Sequence, residues 1–316
     1  MMAMVMDRYG PPEVVHEASV EVMPLGSHDV LIRNYATSIN PVDWKVREGY
    51  LKDRLPLNFP AILGWDAAGV IEKVGSQVST LHVGDKVFSR PAIERPGTYA
   101  EYVVVDASLV APKPESLTFL EAACVPLAGL TAWEALRERA HLHDGQRVLI
   151  HGGAGGVGGY AIQLAKIAGA FVTTTTRAVN DGYVRSLGAD QVIHYESQDF
   201  ESLLTEYDVV LDTIGGDVQR KSFSVLKPDG MLVSIAQMPD PRQAEQYGVK
   251  AVWFFLEPDG KKLQALGQLF DEGRMKPTVG QTFLLRHIPQ AHAVSQSGHT
   301  VGKLGIVVDR DKAETR

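Results

Sequence analysis

The sequence has a single cysteine, Cys124, among its 316 residues. One cysteine excludes an intramolecular disulfide and every zinc cluster that needs several cysteine ligands. Cys124 lies among small apolar residues in the segment EAACVPLAG. Because a thiol in such surroundings is more often a buried filler than a nucleophile, we predict no chemical role for it.

Long apolar runs and an excess of positive charge are also missing. No stretch approaches the roughly 18 apolar residues of a membrane-spanning helix, and the N-terminal segment reaches Asp7 too early for a secretory signal peptide. We therefore expect a cytoplasmic protein with no membrane span. The formal net charge of −7, without clusters of Lys and Arg, argues against a nucleic-acid partner.

The composition that remains, 45% hydrophobic and 22% charged, is that of an ordinary globular protein, and the length suits about two domains. The first hundred residues alternate short apolar runs with turns rich in Pro and Gly, which indicates a compact barrel or folded sheet. The strands predicted there are Val30–Asn34, Gly69–Val74, Lys86–Phe88 and Ala100–Val105.

From about Thr118 the pattern changes to alternating helices and strands. Thr118 and Glu121 have the spacing of a capping box, and a further helix is predicted over Leu127–Arg139. This alternation predicts an α/β domain with a doubly wound parallel sheet. Its predicted strands are Val148–Ile150, Phe171–Thr176, Gln191–His194, Asp208–Asp212, Met231–Ile235 and, at an edge that could serve a homodimer, Ala251–Leu256.

The C-terminal tail reverts to strands and turns, and it is too short to form a domain of its own. We therefore predict that residues 1–118 and 261–316 form one β-rich domain. Residues 119–260 form the nucleotide-binding domain in this prediction.

The segment Arg147–Lys166 combines a short strand, a glycine loop and an amphipathic helix. Its glycines have the spacing G-x-G-x-x-G, which permits a tight turn, a close approach of a pyrophosphate and close packing of the helix on its strand. The helix N-terminus offers free N–H groups to the phosphates. A flexible glycine loop is the alternative, but the flanking strand and helix favour a dinucleotide. The predicted contacts are Gly153, Ala154, Gly155, Gly156, Val157 and Gly158.

A site built for NAD offers Asp or Glu at the end of the next strand, about twenty residues past the first glycine. This chain instead has four threonines followed by Arg177. Hydroxyls and a guanidinium can bind a 2′-phosphate that a carboxylate would repel. We therefore predict NADP(H), with Thr175, Thr176 and Arg177 as contacts, against the alternative of a solvated surface arginine.

Several motifs along the chain belong together. They are Ser38–Asp43 (SINPVD), Leu63–Gly69 (LGWDAAG), Val83–Val87 (VGDKV), Gly97–Tyr102 (GTYAEY), Pro126–Ala132 (PLAGLTA), Ala154–Gly158 (AGGVG), Leu187–Asp190 (LGAD) and Gly302-Lys303. With them the chain resembles the medium-chain dehydrogenase/reductase superfamily, in its branch of quinone oxidoreductases and enone reductases that lack zinc. The resemblance implies a GroES-like catalytic domain enclosing a Rossmann domain.

The resemblance also implies further cofactor contacts. Thr131 is expected near the nicotinamide, Tyr195 at the adenosine phosphate, and Lys303 near the cofactor, although a strand-edge lysine is almost as good an interpretation of Lys303. Ligands of open α/β sheets lie at the carboxyl ends of the strands. The residues predicted there are Asp212, Thr213, Ile214, Ser234 and Ile235.

Zinc-dependent alcohol dehydrogenases of this superfamily place metal ligands near Asn40, at Trp65 and near Leu127, where this chain has no ligand. Its ten histidines are scattered without a paired spacing. We therefore predict no metal. Without a Lewis acid an alcohol lacks its activating group, whereas reduction of a conjugated double bond needs only donors at the carbonyl oxygen.

The resemblance places such donors between Asn40 and Tyr50. Asn40 and Tyr50 match positions that line the pocket of quinone oxidoreductases. Lys45 matches the Asp-aromatic-Lys of enone reductases, and Asp43 could orient it. The alternatives are that Asn40 is a turn residue, Tyr50 a core aromatic, Lys45 a solvated charge and Asp43 a helix cap. Trp44 stands where the branch often has Tyr, and an indole cannot act as a general acid.

These observations predict an NADPH-dependent, zinc-independent oxidoreductase that transfers hydride to a small-molecule quinone or α,β-unsaturated carbonyl. Two alternatives stay open: an NADPH-binding sensor or structural protein with little catalysis, and a zinc-free alcohol dehydrogenase.

Overall fold

The structure is a computed structural model that describes residues Met1–Arg316. Its strands are β1 Met2–Met6, β2 Val15–Ser19, β3 Asp29–Ile39, β4 Ala61–Ile62, β5 Ala67–Val74, β6 Lys86–Ser89, β7 Tyr102–Asp106, β8 Val110–Pro112, β9 Arg147–Ile150, β10 Phe171–Thr176, β11 Gln191–His194, β12 Tyr207–Asp212, β13 Leu226–Ser234, β14 Lys250–Trp253, β15 Val279–Leu284 and β16 Lys303–Val307. Its α-helices are α1 Pro41–Arg47, α2 Phe119–Ala123, α3 Pro126–Trp133, α4 Gly156–Ile167, α5 Asp181–Ser186, α6 Phe200–Leu203, α7 Gly216–Ser222, α8 Pro241–Tyr247, α9 Gly260–Asp271 and α10 Ile288–Gln296.

The chain divides into two compact units. The β-rich unit comprises Met1–Leu130 and Glu257–Arg316, and the Rossmann unit comprises Thr131–Leu256. The predicted boundaries at residues 118/119 and 260/261 stay a prediction. None of the helices is long and apolar enough to cross a membrane.

A seven-stranded sheet forms the centre of the β-rich unit. Its strand order is β15-β16-β3-β5-β6-β8, with β7 also paired to β3. Strand β3 is rich in β-branched and aromatic residues, which favour an extended backbone. The C-terminal strand β16 pairs antiparallel with β3 and brings Leu304 opposite Ile39. A smaller sheet has the order β2-β1-β4.

The Rossmann unit is built on one parallel sheet with the strand order β11-β10-β9-β12-β13-β14. This order reverses between β9 and β12, and dinucleotides bind at the carboxyl ends of the strands beside such a reversal. Strand β9 is almost wholly buried, as expected for a parallel strand covered on both faces. The predicted fold class, a β-rich GroES-like domain with a doubly wound Rossmann domain, is confirmed.

Most predicted elements are found, with differences at their ends. Strands β10 and β11 have the predicted bounds, and the capping box of Thr118 and Glu121 opens α2. The helix predicted over Leu127–Arg139 is α3 followed by a π-helical segment, Glu134–Arg139. Strand β13 begins earlier than predicted because Asp229-Gly230, a sequence typical of a turn, lies inside it.

Candidate active site and cofactor site

The glycine loop between β9 and α4 contains glycines of two kinds. A Cβ atom on Gly153 would lie 2.0 Å from Thr174 Oγ1, and one on Gly158 would lie 2.3 Å from the carbonyl oxygen of Gly152. A Cβ on Gly155 would meet only the Gly152 carbonyl oxygen, at 3.3 Å. Gly153 is therefore required by the packing of the loop on β10 and Gly158 by packing within the loop, whereas Gly155 borders free space.

The start of α4 has the chemistry of an anion site. Gly155 is its N-cap and supplies no side-chain hydrogen bond. The N–H groups of the first turn, which contains Gly156, Val157 and Gly158, have no partner within a helix. The positive end of the helix dipole lies at the same place. The residues of this loop therefore fit the pyrophosphate of a dinucleotide.

Two of the predicted strand-end residues bind each other. Asp212 Oδ2 accepts a hydrogen bond from Ser234 Oγ at 2.8 Å, and its Oδ1 accepts from the backbone N–H groups of Ile214 (2.9 Å) and Gly215 (2.8 Å). Asp212 and Ser234 are fully buried, whereas the side chain of Ile214 is 55% exposed. Asp212 therefore shapes the loop after β12, and Ile214 is the member that faces solvent.

Further hydrogen bonds join the segments that follow β9, β12 and β13 at this edge of the sheet. Thr213 Oγ1 donates to the carbonyl oxygen of His151 at 2.8 Å, and the N–H of Ile235 donates to the carbonyl oxygen of Asp212 at 3.1 Å. His151 itself was missed from the sequence. Its side chain is buried against Thr175 Oγ1 and Ser222 Oγ, and desolvation lowers its pKa to about 4, so it is neutral at physiological pH.

The ends of β10 and β11 form a second corner of the Rossmann unit. Thr175 and Thr176 are buried, and the backbone N–H of Tyr195 donates to the carbonyl oxygen of Thr176 at 3.2 Å. The Tyr195 side chain is 52% exposed. Arg177 Nε donates to the carboxylate of Glu196 at 3.1 Å, a partner that sequence reasoning missed. Thr131 lies apart from this corner along the chain, buried within α3.

In the β-rich unit, Asn40 opens α1 within a dense polar network. Its backbone N–H donates to Asp43 Oδ2 at 2.8 Å, and its side-chain Nδ2 donates to Asp66 Oδ2 at 2.7 Å. The Lys303 ammonium donates to Asn40 Oδ1, to the carbonyl oxygen of Ile39 (2.8 Å) and to Asp66 Oδ2 (3.4 Å). All three hydrogens of Lys303 thus have acceptors inside the unit. The cofactor contact implied for Lys303 stays a prediction.

This network contains or adjoins the positions near Asn40, Trp65 and Leu127 at which the resemblance implies the metal ligands of zinc-dependent alcohol dehydrogenases. Asp66 also accepts from Ser38 Oγ at 2.5 Å and from the backbone N–H of Leu127 at 2.7 Å. Its neighbour Trp65 is buried. No group of three or more His, Cys, Asp or Glu side chains converges here or elsewhere. An ammonium and a ring of donors around one carboxylate do not fit a zinc ion, which needs several lone-pair donors.

A buried chain of hydrogen bonds runs from Arg47 back to Asp43. A guanidinium can only donate, so Arg47 Nη1 donates to His292 Nδ1 at 3.1 Å. The proton of the neutral imidazole then lies on Nε2, which donates to the hydroxyl oxygen of Tyr99 at 3.1 Å. The Tyr99 hydroxyl donates to Asp43 Oδ2 at 2.6 Å. The direction of every bond in this chain is therefore fixed.

Burial sets the acid–base behaviour of the chain. Desolvation raises the pKa of Asp43 to about 7, although the hydrogen bonds from Tyr99 and Asn40 oppose the shift. Desolvation lowers the pKa of His292 to about 3, and the charge of Arg47 acts in the same direction. His292 is therefore neutral at physiological pH, which agrees with the tautomer derived above.

Lys45 and Tyr50 differ from Asn40 and Asp43 in their exposure. Tyr50 is 68% exposed, so its interpretation as a core aromatic is wrong. Lys45 is partly buried, which lowers the pKa of its ammonium, and its Nζ lies 5.7 Å from the ring centre of Trp44. The rings of Trp44 and Tyr50 meet edge to face with centres 6.0 Å apart. The structure thus groups Lys45 and Trp44 of α1 with Tyr50, which lies three residues beyond the end of the helix, on an accessible side of this segment.

Comparisons with known proteins agree with this architecture. Residues 26–115 match the alcohol dehydrogenase GroES-like domain, and residues 187–306 match a family described as zinc-binding dehydrogenase.

Three known proteins are similar over almost the whole chain. The mitochondrial NAD(P)H oxidoreductase RTN4IP1 of Danio rerio is 32% identical, covering 99% of this chain and 93% of its own. The chloroplastic NADPH-dependent alkenal/one oxidoreductase of Arabidopsis thaliana is 36% identical, and the match covers 96% of this chain and 78% of that protein. The solved quinone oxidoreductase of Coxiella burnetii is 37% identical, with a TM-score of 0.92 and coverages of 98% and 99%.

The fold and the glycine loop define a two-domain dinucleotide-binding protein. The comparisons narrow this class: the chain belongs to the medium-chain dehydrogenase/reductase superfamily, in its branch of quinone oxidoreductases and enone reductases.

Proposed function

We propose that this protein is an NADPH-dependent reductase that transfers hydride to quinones or α,β-unsaturated carbonyls without a metal. The observation that carries the proposal is the N-terminus of α4, which has no side-chain cap and lies beside the free space at Gly155. The helix follows β9 in a parallel sheet whose strand order is typical of dinucleotide-binding domains. The names of the relatives support the acceptor class. The network around Asp66, which does not fit zinc, supports the metal-free part.

The Rossmann unit binds the cofactor in this proposal. Backbone N–H groups of Gly156, Val157 and Gly158 bind the pyrophosphate, and Arg177 binds the 2′-phosphate with Thr175, Thr176 and Tyr195 around it. When bound, NADPH supplies the hydride. Thr131, Thr213, Ile214 and Ile235 remain candidate contacts, and buried Asp212 and Ser234 act by shaping the loop that carries Ile214.

The accessible side of the segment from Trp44 to Tyr50 stabilises the acceptor. As hydride adds to the β-carbon of an enone, the pair of the C=C bond forms a new double bond between the α-carbon and the carbonyl carbon. The π pair of the carbonyl moves onto its oxygen and gives an enolate. The Lys45 ammonium and the Tyr50 hydroxyl donate hydrogen bonds to that oxygen. Burial lowers the pKa of Lys45, which eases transfer of its proton to the enolate. The edge contact with Trp44 holds the Tyr50 ring in place.

Asn40, Asp43 and Lys303 act as positioning residues in this proposal. All three are buried. Asn40 bonds to Asp43, Asp66 and Lys303, and Lys303 bonds in turn to Asp66. They fix the first turn of α1, and through it the direction of Lys45 and Tyr50.

The acceptor site is tested with Lys45→Ala and Tyr50→Phe. Removing a donor that acts on the transition-state oxygen is expected to lower kcat about 100- to 1,000-fold while NADPH affinity stays unchanged. Lys52→Ala is the matched control, because Lys52 is an exposed lysine of the same segment. Unchanged kcat in both variants would contradict the assignment. Tight NADPH binding without turnover of any quinone or enone would favour a sensor or structural role.

We also propose a homodimer and a cytoplasmic location. Strand β14 lies at the edge of the Rossmann sheet, where it can pair with the same strand of a second copy. Sedimentation equilibrium tests the dimer, and a monomer at micromolar concentration would exclude it. Fractionation of the source cells tests the location, and recovery in an organelle would contradict it.

A further inference from the structure

The corner formed by the ends of β10 and β11 contains a carboxylate that the proposed function has not used. The two strands are parallel neighbours, and their register pairs Thr176 with His194. Arg177 and Glu196 follow these positions and therefore meet at the same edge. Glu196 accepts from Arg177 Nε at 3.1 Å through one oxygen and from the N–H of Ala178 at 3.3 Å through the other.

This corner is where a Rossmann domain distinguishes its two dinucleotides. The adenosine ribose lies at the end of the second strand, where a carboxylate binds the 2′-hydroxyl of NAD and an arginine accommodates the 2′-phosphate of NADP. Both an arginine and a carboxylate are present here: Arg177 follows β10 and Glu196 follows β11. The side chains of Arg177 and Glu196 are each 43% exposed, so a ligand can reach both.

The other charges near this corner are already paired. Asp181 accepts from Arg185 Nε at 2.6 Å and from His194 Nε2 at 2.8 Å. Glu196 is therefore the carboxylate that competes directly for Arg177. It would repel a bound 2′-phosphate, and because it already binds Nε of Arg177, the phosphate must compete with it for the guanidinium.

We propose that Glu196 is a specificity-determining residue that limits the preference for NADPH over NADH by holding Arg177. The proposal rests on the dinucleotide-binding function proposed above. With Glu196 in place, Arg177 favours the 2′-phosphate and Glu196 favours the 2′-hydroxyl, so the protein binds both cofactors and prefers NADPH only moderately.

Exposed ion pairs and like-charge contacts set the size of the expected effect. Releasing Arg177 and removing one repelling carboxylate should each strengthen binding of the phosphate about a few-fold, since interactions between exposed charges are weak. Glu196→Gln should therefore raise the affinity ratio of NADP⁺ to NAD⁺ about 10-fold. The amide oxygen of Gln still accepts from Ala178, so the loop keeps its backbone contact.

The test is equilibrium binding of NADP⁺ and of NAD⁺ to the full chain, measured separately by isothermal titration calorimetry. The variants are Glu196→Gln, Arg177→Ala and the double variant. Glu201→Gln is the matched control, because Glu201 lies in a similar exposed ion pair, 3.5 Å from Lys221 Nζ. We expect a ratio about 10-fold higher in Glu196→Gln, a lower ratio in Arg177→Ala, and no change in the control.

The double variant separates competition from simple repulsion. Where Arg177 is already absent, Glu196→Gln should change the ratio by only a few-fold, because no guanidinium remains to be released. A wild-type ratio in Glu196→Gln, with both cofactors bound, would overturn this inference and leave the proposed function intact. Failure of the wild-type protein to bind either cofactor would overturn both.

Discussion

Tyr99→Phe is the substitution whose consequences the structure defines most fully. Tyr99 is buried, and its hydroxyl is the link between His292 and Asp43. Phenylalanine keeps the ring and removes this one oxygen. Asp43 then retains only the N–H of Asn40 as a donor, because its Oδ1 has no partner. His292 is left with a buried N–H that has no acceptor.

The expected loss of stability follows from these two changes. A hydrogen bond to a charged group contributes about 1.5 to 3 kcal/mol, and a buried donor without a partner costs about 1 to 3 kcal/mol. Tyr99→Phe should therefore lower the free energy of unfolding by about 3 to 5 kcal/mol at a pH where Asp43 is ionised. Tyr207→Phe is the matched control. Tyr207 is equally buried, but its hydroxyl makes only a neutral hydrogen bond, with Thr173 Oγ1 at 2.6 Å.

The pH dependence gives the sharper test. The pKa of Asp43 is about 7 in the folded protein, against 3.8 for an ordinary aspartate, so the folded state binds more protons than the unfolded state between these two pH values. Protonation of Asp43 therefore adds stability as the pH falls below 7, and this contribution is lost as the pH rises through 7. Since the Tyr99 hydrogen bond lowers the pKa of Asp43, its removal raises that pKa further.

The stability deficit of Tyr99→Phe should thus grow as the pH rises from about 6 to about 8, while that of Tyr207→Phe stays near 1 kcal/mol throughout. Chemical denaturation at several pH values measures both deficits. A deficit for Tyr99→Phe that is independent of pH and equal to that of the control would refute the assigned hydrogen-bond chain.

Two further predictions concern the loop and the cysteine. Gly155→Ala should fold normally yet bind NADPH at least about 10-fold more weakly, because its methyl group would enter the space left for the pyrophosphate. Gly158→Ala should also lose stability, since its Cβ would lie 2.3 Å from the Gly152 carbonyl oxygen. Calorimetry measures the NADPH affinity of each variant, and thermal unfolding measures its stability. Equal losses of stability in the two variants would contradict the different roles assigned to Gly155 and Gly158. Cys124 is buried with a pKa raised to about 12 by desolvation, so iodoacetamide should leave the native protein unmodified and fully active. Alkylation of the native protein with loss of activity would contradict this prediction.

The parts of this protein that depend on local chemistry could be predicted from the sequence. The capping box from Thr118 to Glu121 spans four residues, and the glycine spacing of the loop spans six, from Gly153 to Gly158. The bounds of β10 follow from a continuous run of β-branched residues. Signals of this kind need no knowledge of the rest of the chain.

The parts that depend on distant contacts could not. Tyr99 lies 56 positions from Asp43 and 193 from His292, and no periodicity links them. Glu196 was missed because cofactor preference is predicted from the residues at the end of the second strand of the Rossmann unit, β10. This carboxylate instead follows the third strand, β11. The three acceptors of Lys303 are likewise known only once β16 is paired with β3.

The most direct test of the central claim is the oxidation of NADPH by the chelator-treated protein with a quinone and with an enone, combined with metal analysis of the same sample. The account predicts that both acceptors are reduced at rates that the chelator does not change, with zinc far below one equivalent. Activity that disappears on chelation and returns with zinc would contradict it.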